Sequence, residues 1–345
     1  MRDVAAAAGV SVATVSKALR NDSTIPESTR RHVALVAKEL GYRNDAQLAE
    51  YMAYIRKDRS AKTLLPLAFI YAFKDRDHLE KPHATEERVV FAAAKARAEA
   101  LGYYLEPFWL FDPEVTPARL RKILLARGFR GIVFWACVFE ILPLDVTGFA
   151  NVCLGPGIDS PRLHMVDGDP LYHGNMIFQE FQRRGYKEFS IAIFTPDHYE
   201  IHPLESRYYY EALRRGATDP IPFFKSNTFK RAPFLEWIAK YRPTALWVTY
   251  YKTVEWLREA GYRVPEDVAV AYNVTPEIDP EGSGVDRGVI AIAGAAIDAV
   301  VGQIYRNESG VPPLRQTLVV EGRWVEGKTL PFREVGPGRK PLGKR

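Results

Sequence analysis

Cysteine is nearly missing. Only Cys137 and Cys153 occur in 345 residues, each inside an apolar, strand-like run. That points away from a disulfide framework and towards buried, reduced thiols of a cytosolic protein. No apolar run approaches the length that crosses a bilayer, so a membrane partner is not expected. The N-terminus opens directly into a helical pattern without an apolar leader, which disfavours an exported location. No glycine-rich phosphate loop follows a strand, and no nucleophile, base and orienting acid stand together, so neither an enzyme nor a cofactor is expected. His198 and His202 are four apart, as a helical metal site would have them. They follow Pro196 in a loop-like stretch without a third ligand, so no metal is expected either.

What is present is an ordinary globular composition, 47% hydrophobic, in a chain long enough for a small domain and one or two larger ones. The 47 Lys and Arg outnumber the 42 Asp and Glu only slightly, and the excess sits at the ends. The first sixty residues carry ten basic side chains against seven acids. The last nine carry Arg339, Lys340, Lys344 and Arg345 against none. Basic ends on a near-neutral body suit a polyanion held by one end.

Residues 3–21 read as two short helices with a tight break between them. Val4, Ala5 and Ala8 recur at helical spacing. Gly9 supplies the left-handed conformation of a helix stop. Ser11 can cap the next helix, whose Val15, Ala18 and Leu19 form an inner stripe. Val12, Ala13, Ser16, Lys17 and Arg20 then point outward. A third helix, 27–40, starts after Pro26, carries Val33, Val36, Ala37 and Leu40 on its inner face, and stops at Gly41. This is a helix-turn-helix whose second helix would lie in the DNA major groove.

Gly9-Val-Ser-Val-Ala-Thr-Val-Ser-Lys17, Ile25-Pro-Glu-Ser-Thr-Arg30 and Lys38-Glu-Leu-Gly-Tyr-Arg43 together closely resemble the DNA-binding headpiece of LacI/GalR-type transcriptional repressors. The resemblance runs without a gap from Asp3 to about Tyr42. It implies that Ser11, Thr14 and Ser16 touch phosphate or base edges, and that Val12, Ala13 and Lys17 choose operator sequence. Arg20, Asn21, Thr24, Ser28, Thr29 and Tyr42 match or flank backbone contacts, which position the protein without reading sequence.

After the headpiece, 44–62 corresponds to the hinge helix and linker of those repressors. There a leucine wedges into the minor groove once two subunits pair. Here Asn44 replaces a usual proline and the wedge position falls on Tyr51, with Leu48 or Met52 able to take over by a slight shift. The same side chains with Ile55 also read as one amphipathic stripe that packs two hinges together.

From Leu64 strands and helices alternate. Strands are expected at 65–71, 103–109, 131–138, 150–154, 189–194, 245–249 and 268–272. Helices are expected at 86–101, 117–127, 171–184, 205–215, 234–241 and 253–260. Such alternation implies parallel sheets with helices on both faces, in two lobes. Arg242-Pro-Thr-Ala-Leu-Trp247, 261–270, 295–304 and 319–325 are similar to the end of the repressors' periplasmic-binding-protein-like effector domain. The resemblance implies three crossings between lobes, placed near 186, 285 and 314. The expected organisation is a headpiece at 1–43, hinge and linker at 44–62, a two-lobed domain at 63–336 and a basic tail at 337–345. Lobe one would hold about 63–186 and 285–314, and lobe two 187–284 and 315–332.

Ligand in this fold sits between the lobes, at the carboxyl ends of the strands. Phe73, Phe108, Trp135, Asp169, Arg207, Tyr250 and Asp286 are the candidates by position. They combine aromatic faces with charged groups, as a sugar requires. The repressors' usual Asn-Asp pair is replaced at Trp247-Val-Thr-Tyr-Tyr251, and their Arg-x-x-Gly-aromatic pattern at Glu205-Ser-Arg-Tyr-Tyr-Tyr210. The usual sugar clamp is thus incomplete, and lobe packing by aromatics alone is the competing reading.

The reading as a whole is a dimeric, cytoplasmic, nucleoid-associated regulator. It binds a pseudo-palindromic operator and answers to a small molecule, a sugar or related metabolite. The alternatives are a regulator with a ligand-independent domain, a solute-binding protein of the same fold, and an enzyme on a doubly wound scaffold.

Overall fold

The computed structural model describes residues 2–19, 22, 24–40, 64–72, 85–135, 139–155, 158–194, 220–226, 230–250, 252–274 and 281–333. The expected hinge helix, the helix at 205–215, the histidine pair and the basic tail lie outside them.

Three helices open the chain: α1 (Arg2–Ala8), α2 (Val12–Leu19) and α3 (Glu27–Glu39). Val4, Ala5, Ala8, Val15, Ala18, Val33, Val36 and Ala37 close one small core between them. Four of those eight are alanines, which bury little area, so this domain gains little from packing. Gly9 takes φ +65° between α1 and α2, and the amide of Thr14 donates to Ser11 Oγ at 3.0 Å. Leu40 departs from the expected inner stripe. It lies one residue past α3 and is 50% exposed.

The first half of the remaining chain runs β1 (Leu65–Tyr71), α4 (Thr85–Ala100), β2 (Tyr103–Trp109), α5 (Pro117–Ala126), β3 (Gly131–Trp135), β4 (Phe139–Ile141), β5 (Ala150–Leu154), β6 (Ile158–Ser160) and β7 (Met165–Gly168). The second half runs α6 (Pro170–Arg183), β8 (Phe189–Phe194), β9 (Phe224–Ser226), α7 (Arg231–Tyr241), β10 (Ala245–Val248), α8 (Lys252–Glu259), β11 (Ala269–Val274), β12 (Ser283–Asp286), α9 (Val289–Arg306), β13 (Thr317–Val320) and β14 (Arg323–Val325).

Two six-stranded sheets result, ordered β13-β7-β5-β3-β1-β2 and β14-β12-β11-β10-β8-β9. Every pairing is parallel except β12 with β14. Both faces of each sheet are covered, which is why the inner strands are apolar throughout rather than alternating. On the first sheet α4 and α9 bury one face, and Leu120 and Leu124 of α5 lie against the other. On the second, Ile177, Phe178 and Phe181 of α6 cover one face, and α7 and α8 the other. α9 lies tightly over Gly131, where a methyl group would stand 2.4 Å from Val300 Cγ1.

Three crossings join the lobes, and two differ from the sequence expectation. The first lies at the Gly168–Pro170 junction rather than near 186, because the apolar face of α6 packs on the second sheet. The second is Arg287-Gly288, between β12 and α9. The third is Glu321-Gly322 rather than 314, because β13 extends the first sheet beside β7 before β14 joins the second. The expectation that no apolar run reaches membrane length is also corrected. α9, with 18 residues, is long and apolar enough by composition. Its apolarity serves a core position, with Ile292, Ala296, Val300 and Ile304 among its buried side chains. Cys153 is a free buried thiol, pushed up to about 12 chiefly by burial; Cys137 lies outside the described residues.

Candidate functional site

The first site is the outer face of α2. Val12 is 44% exposed, and Ala13 and Lys17 are exposed beside it. Val15 and Ala18, at the complementary positions, are buried. Thr14 is half-buried. Its hydroxyl shares a 2.8 Å hydrogen bond with Ser11 Oγ, so the helix cap also fixes both hydroxyls. Lys17 occupies the last turn, where a cation meets the partial negative charge of the helix end. Thr24 donates from its amide and hydroxyl to Asp22 Oδ1, at 2.9 and 2.7 Å. Ser28 is exposed and Thr29 half-buried at the start of α3. The Ser16 side chain, Arg20, Asn21, Tyr42, Leu48, Tyr51 and Met52 lie outside what is described.

The second site gathers at the carboxyl ends of the first sheet's strands. Register sets Trp109, Tyr71 and Trp135 side by side on neighbouring strands. They share the face that α4 and α9 cover. Tyr71 stacks on Trp109, with ring centroids 5.9 Å apart and planes 24° apart. Its hydroxyl is pushed up by burial and by Glu87. Phe108, one residue earlier on β2, points the other way and packs edge-on against Phe129 at 5.3 Å. Of the candidates on this sheet, Trp135 therefore joins the aromatic row, and Phe108 does not. Tyr71 and Trp109 were missed, although two-residue alternation would have separated 109 from 108. Phe73 and Arg207 lie outside the described residues.

The remaining candidates have structural duties. Asp169 caps α6, its Oδ1 accepting from the amides of Leu171 and Tyr172 at 3.0 and 2.9 Å. Asp286 accepts from the amide of Gly288 at 2.9 Å and from Arg323 Nε at 3.0 Å. Tyr250 sits in an aromatic group with Phe194 and Trp256, at 5.7 and 5.5 Å, and burial and Glu255 raise its hydroxyl.

Sequence reasoning also missed the groups between these carboxylates. Arg287 pairs with Glu86 at the start of α4. Asp167, at the end of β7, is pushed up by burial against the opposing pull of Arg287 and the Gly168 amide. His173 is 3% exposed in the first turn of α6. Burial and then Arg287 lower its imidazole to about 4, against Asp169 and Asp286. Its spacing with Ile177 and Phe181, four and eight residues on, marks an inward position. Among the described residues no group of three or more His, Cys, Asp or Glu could hold a metal ion.

Comparison with known proteins gives the following. Residues 1–45 match the family model described as bacterial regulatory proteins, lacI family. Residues 178–330 match the periplasmic binding protein-like domain. A comparison with curated proteins found no match. Among solved structures, the lac repressor dimer bound to operator and the anti-inducer ONPF is similar at 18% identity. It covers 95% of this chain and 98% of its own, with a TM-score of 0.55. The cellobiose complex of the transcriptional regulator CelR is 18% identical over 94% of this chain and 98% of its own, at 0.56. A periplasmic binding protein/LacI transcriptional regulator from Alkaliphilus metalliredigens QYMF, complexed with D-xylulofuranose, is 16% identical over 76% and 98%, at 0.55. At these identities the likeness is one of fold.

Proposed function

We propose that the chain, with a lacI-family match at residues 1–45 and a periplasmic-binding-protein-like match at 178–330, is a DNA-binding regulator: a dimeric repressor controlled by a small molecule between its lobes. The observation that carries the DNA half is α2: a capped helix whose exposed face offers Val12, Ala13 and Lys17. A valine methyl suits a thymine methyl, and a lysine suits guanine acceptors. We assign residues 1–43 to the headpiece, 44–62 to hinge and linker, and 63–336 to the effector domain, with the crossings as described above. Leu48, Tyr51 and Met52 supply the minor-groove wedge or the seam between paired hinges. Two headpieces on a twofold axis read a pseudo-palindrome. α4 and α8 are the proposed dimer helices. The protein works in the cytoplasm, on the nucleoid.

The effector is proposed to be a carbohydrate. Trp109 and Trp135, half-buried at the carboxyl ends of β2 and β3, supply the aromatic surface, and Asp169 and Asp286, at the first and second crossings, supply carboxylates. The relatives complexed with cellobiose and D-xylulofuranose support that class. Closing the lobes on ligand would shift the paired hinges and so the operator affinity. A second reading has its own support: the rings of Phe108 and Tyr250 are engaged in packing, which suits a domain that takes no ligand. A gel-shift series at two salt concentrations tests the regulator. Steep salt dependence with preference for a palindrome is expected, and failure to bind any duplex sinks the proposal. A thermal-shift screen against sugars separates the two effector readings, because ligand that binds only the folded state raises the melting temperature.

A further inference from the structure

We propose that His173 is the pivot on which the two lobes turn, and that the arrangement of the lobes is coupled to proton binding at its imidazole. The inference rests on the reading of the chain as a two-lobed regulator and adds a second input to it.

The geometry is a ring clasped by backbone. His173 donates its amide to the carbonyl of Asp169 at 3.0 Å, which fixes it in the first turn of α6, just past the first crossing. A methyl group on Gly168, in that crossing, would stand 2.7 Å from His173 Cε1. A methyl group on Gly322, in the third crossing, would stand 2.7 Å from His173 Nε2 and 2.6 Å from the carbonyl oxygen of Asp286. Asp286 leads into the second crossing. One imidazole therefore bears on the backbone of two crossings and lies beside the third. The two glycines leave it room, and any side chain at either would displace it. A rotation of the lobes that moves these segments relative to α6 changes the surroundings of this ring.

Those surroundings govern its charge. Nε2 is buried and has no hydrogen-bond partner among the described residues. On its own helix the ring faces Asp169 and adjoins the Tyr172 ring at 6.4 Å. From the second crossing it faces Asp286 and Arg287. Arg287 in turn pairs with Glu86 of α4 and acts on Asp167 of β7, while Asp286 pairs with Arg323 beyond the third crossing. Burial and Arg287 outweigh the two carboxylates and hold the ring neutral down to about pH 4. An imidazole reached by water titrates near its ordinary 6.5. The described arrangement thus binds fewer protons between those values. It is fully favoured above about 6.5, and it loses ground as pH falls towards 4. From pH 7.5 to 5.5 the balance should move about tenfold towards an arrangement in which the ring is wet.

The test needs no DNA and no effector. In the full chain with Cys137→Ser and Cys153→Ala removing the native thiols, spin labels at Leu125→Cys on α5 and Ala239→Cys on α7, both exposed, report the distance between the lobes by dipolar spectroscopy. Between pH 7.5 and 5.5 a second distance population should grow about tenfold relative to the first. His173→Gln, which keeps polarity and approximate size but does not titrate, should abolish the response. An equal response in His173→Gln overturns the proposal. Should that variant not fold, ¹³Cε1 titration of His173 in the unsubstituted chain decides. Growth of the second distance population over the pH range in which the His173 signal titrates supports it, and an unchanged distance across that range overturns it whatever the midpoint. Operator binding at fixed pH 7.5 tests the regulator reading separately.

Discussion

Asp286 and Arg323 face one another in the register of β12 and β14, and Asp286 Oδ2 accepts from Arg323 Nε at 3.0 Å. The pair joins the second crossing to the third. The Asp286 side chain is 13% exposed and that of Arg323 74%, so the two ends are unequal. Asp286→Ala also deprives the Gly288 amide of its acceptor and should cost about 1–3 kcal/mol. Arg323→Ala should cost under about 1 kcal/mol, as exposed cations do. Urea denaturation of both variants checks the order. Equal losses would show that the contact with Gly288 contributes nothing.

On the DNA side, Lys17→Ala should weaken operator binding by about 1–3 kcal/mol and relax preference at one base position. Titration against a panel of single-base variants distinguishes this from a phosphate contact. A uniform loss over all sequences would assign Lys17 to the backbone. Ser11→Ala should act through the fold, costing the headpiece about 1 kcal/mol as its capping oxygen disappears.

Arg184 supplies an acid-dependent tie. Its buried guanidinium donates to Leu330 O at 2.6 Å and to Glu326 at 2.6 Å, and lies 4.7 Å from the centre of the Phe332 ring. Arg184 is the first cause of the lowered pKa of Glu326. A depressed carboxylate contributes stability above its ordinary value of 4.5 and loses it as pH falls through the folded-state value. Acid should therefore release 326–332 before the sheets unfold, which protease sensitivity between pH 5 and 3 would report. In Arg184→Met that sensitivity should already be present at neutral pH.

Gly131→Ala tests the tight packing of α9 on β3. The added methyl group would meet Val300 Cγ1 at 2.4 Å and Leu67 Cδ2 at 2.7 Å. Overpacking of this kind costs about 1–3 kcal/mol. Adding Val300→Ala should recover part of the loss, and the double-mutant cycle measures how much.

If a sugar raises the melting temperature, Trp109→Ala should lower its apparent affinity roughly tenfold, the scale of one lost aromatic contact. Phe108→Ala should lower the melting temperature with and without sugar by the same amount. A reversal of these two results would return Phe108 to the ligand site.

Much of this architecture is legible from residue pattern. Leu65–Tyr71 and Gly131–Trp135 declare themselves because strands covered on both faces are apolar throughout. Gly9 and Ser11 place the headpiece turn because one conformation and one capping oxygen require such residues. The assignment of α6 to a lobe was not legible. Its pattern shows that Ile177, Phe178 and Phe181 are inward, but not which sheet covers them. β13 was equally hidden, since an edge strand with Leu318 and Val319 about half exposed has no buried run to display. In the candidate site, carboxylates were found by position, whereas Trp109 needed a parity that only a neighbouring strand fixes. His173 looked like any core position because what distinguishes it, two glycines from distant segments, is tertiary.

The third crossing sets a limit on travel. Glu321 and Gly322 alone separate β13, hydrogen-bonded to β7, from β14, hydrogen-bonded to β12. Two residues of extended chain span only about 7 Å. While both strands stay paired, the tether is too short for the lobes to draw apart bodily. They can swivel about it, so whatever message passes through this domain is carried as an angle rather than as a separation.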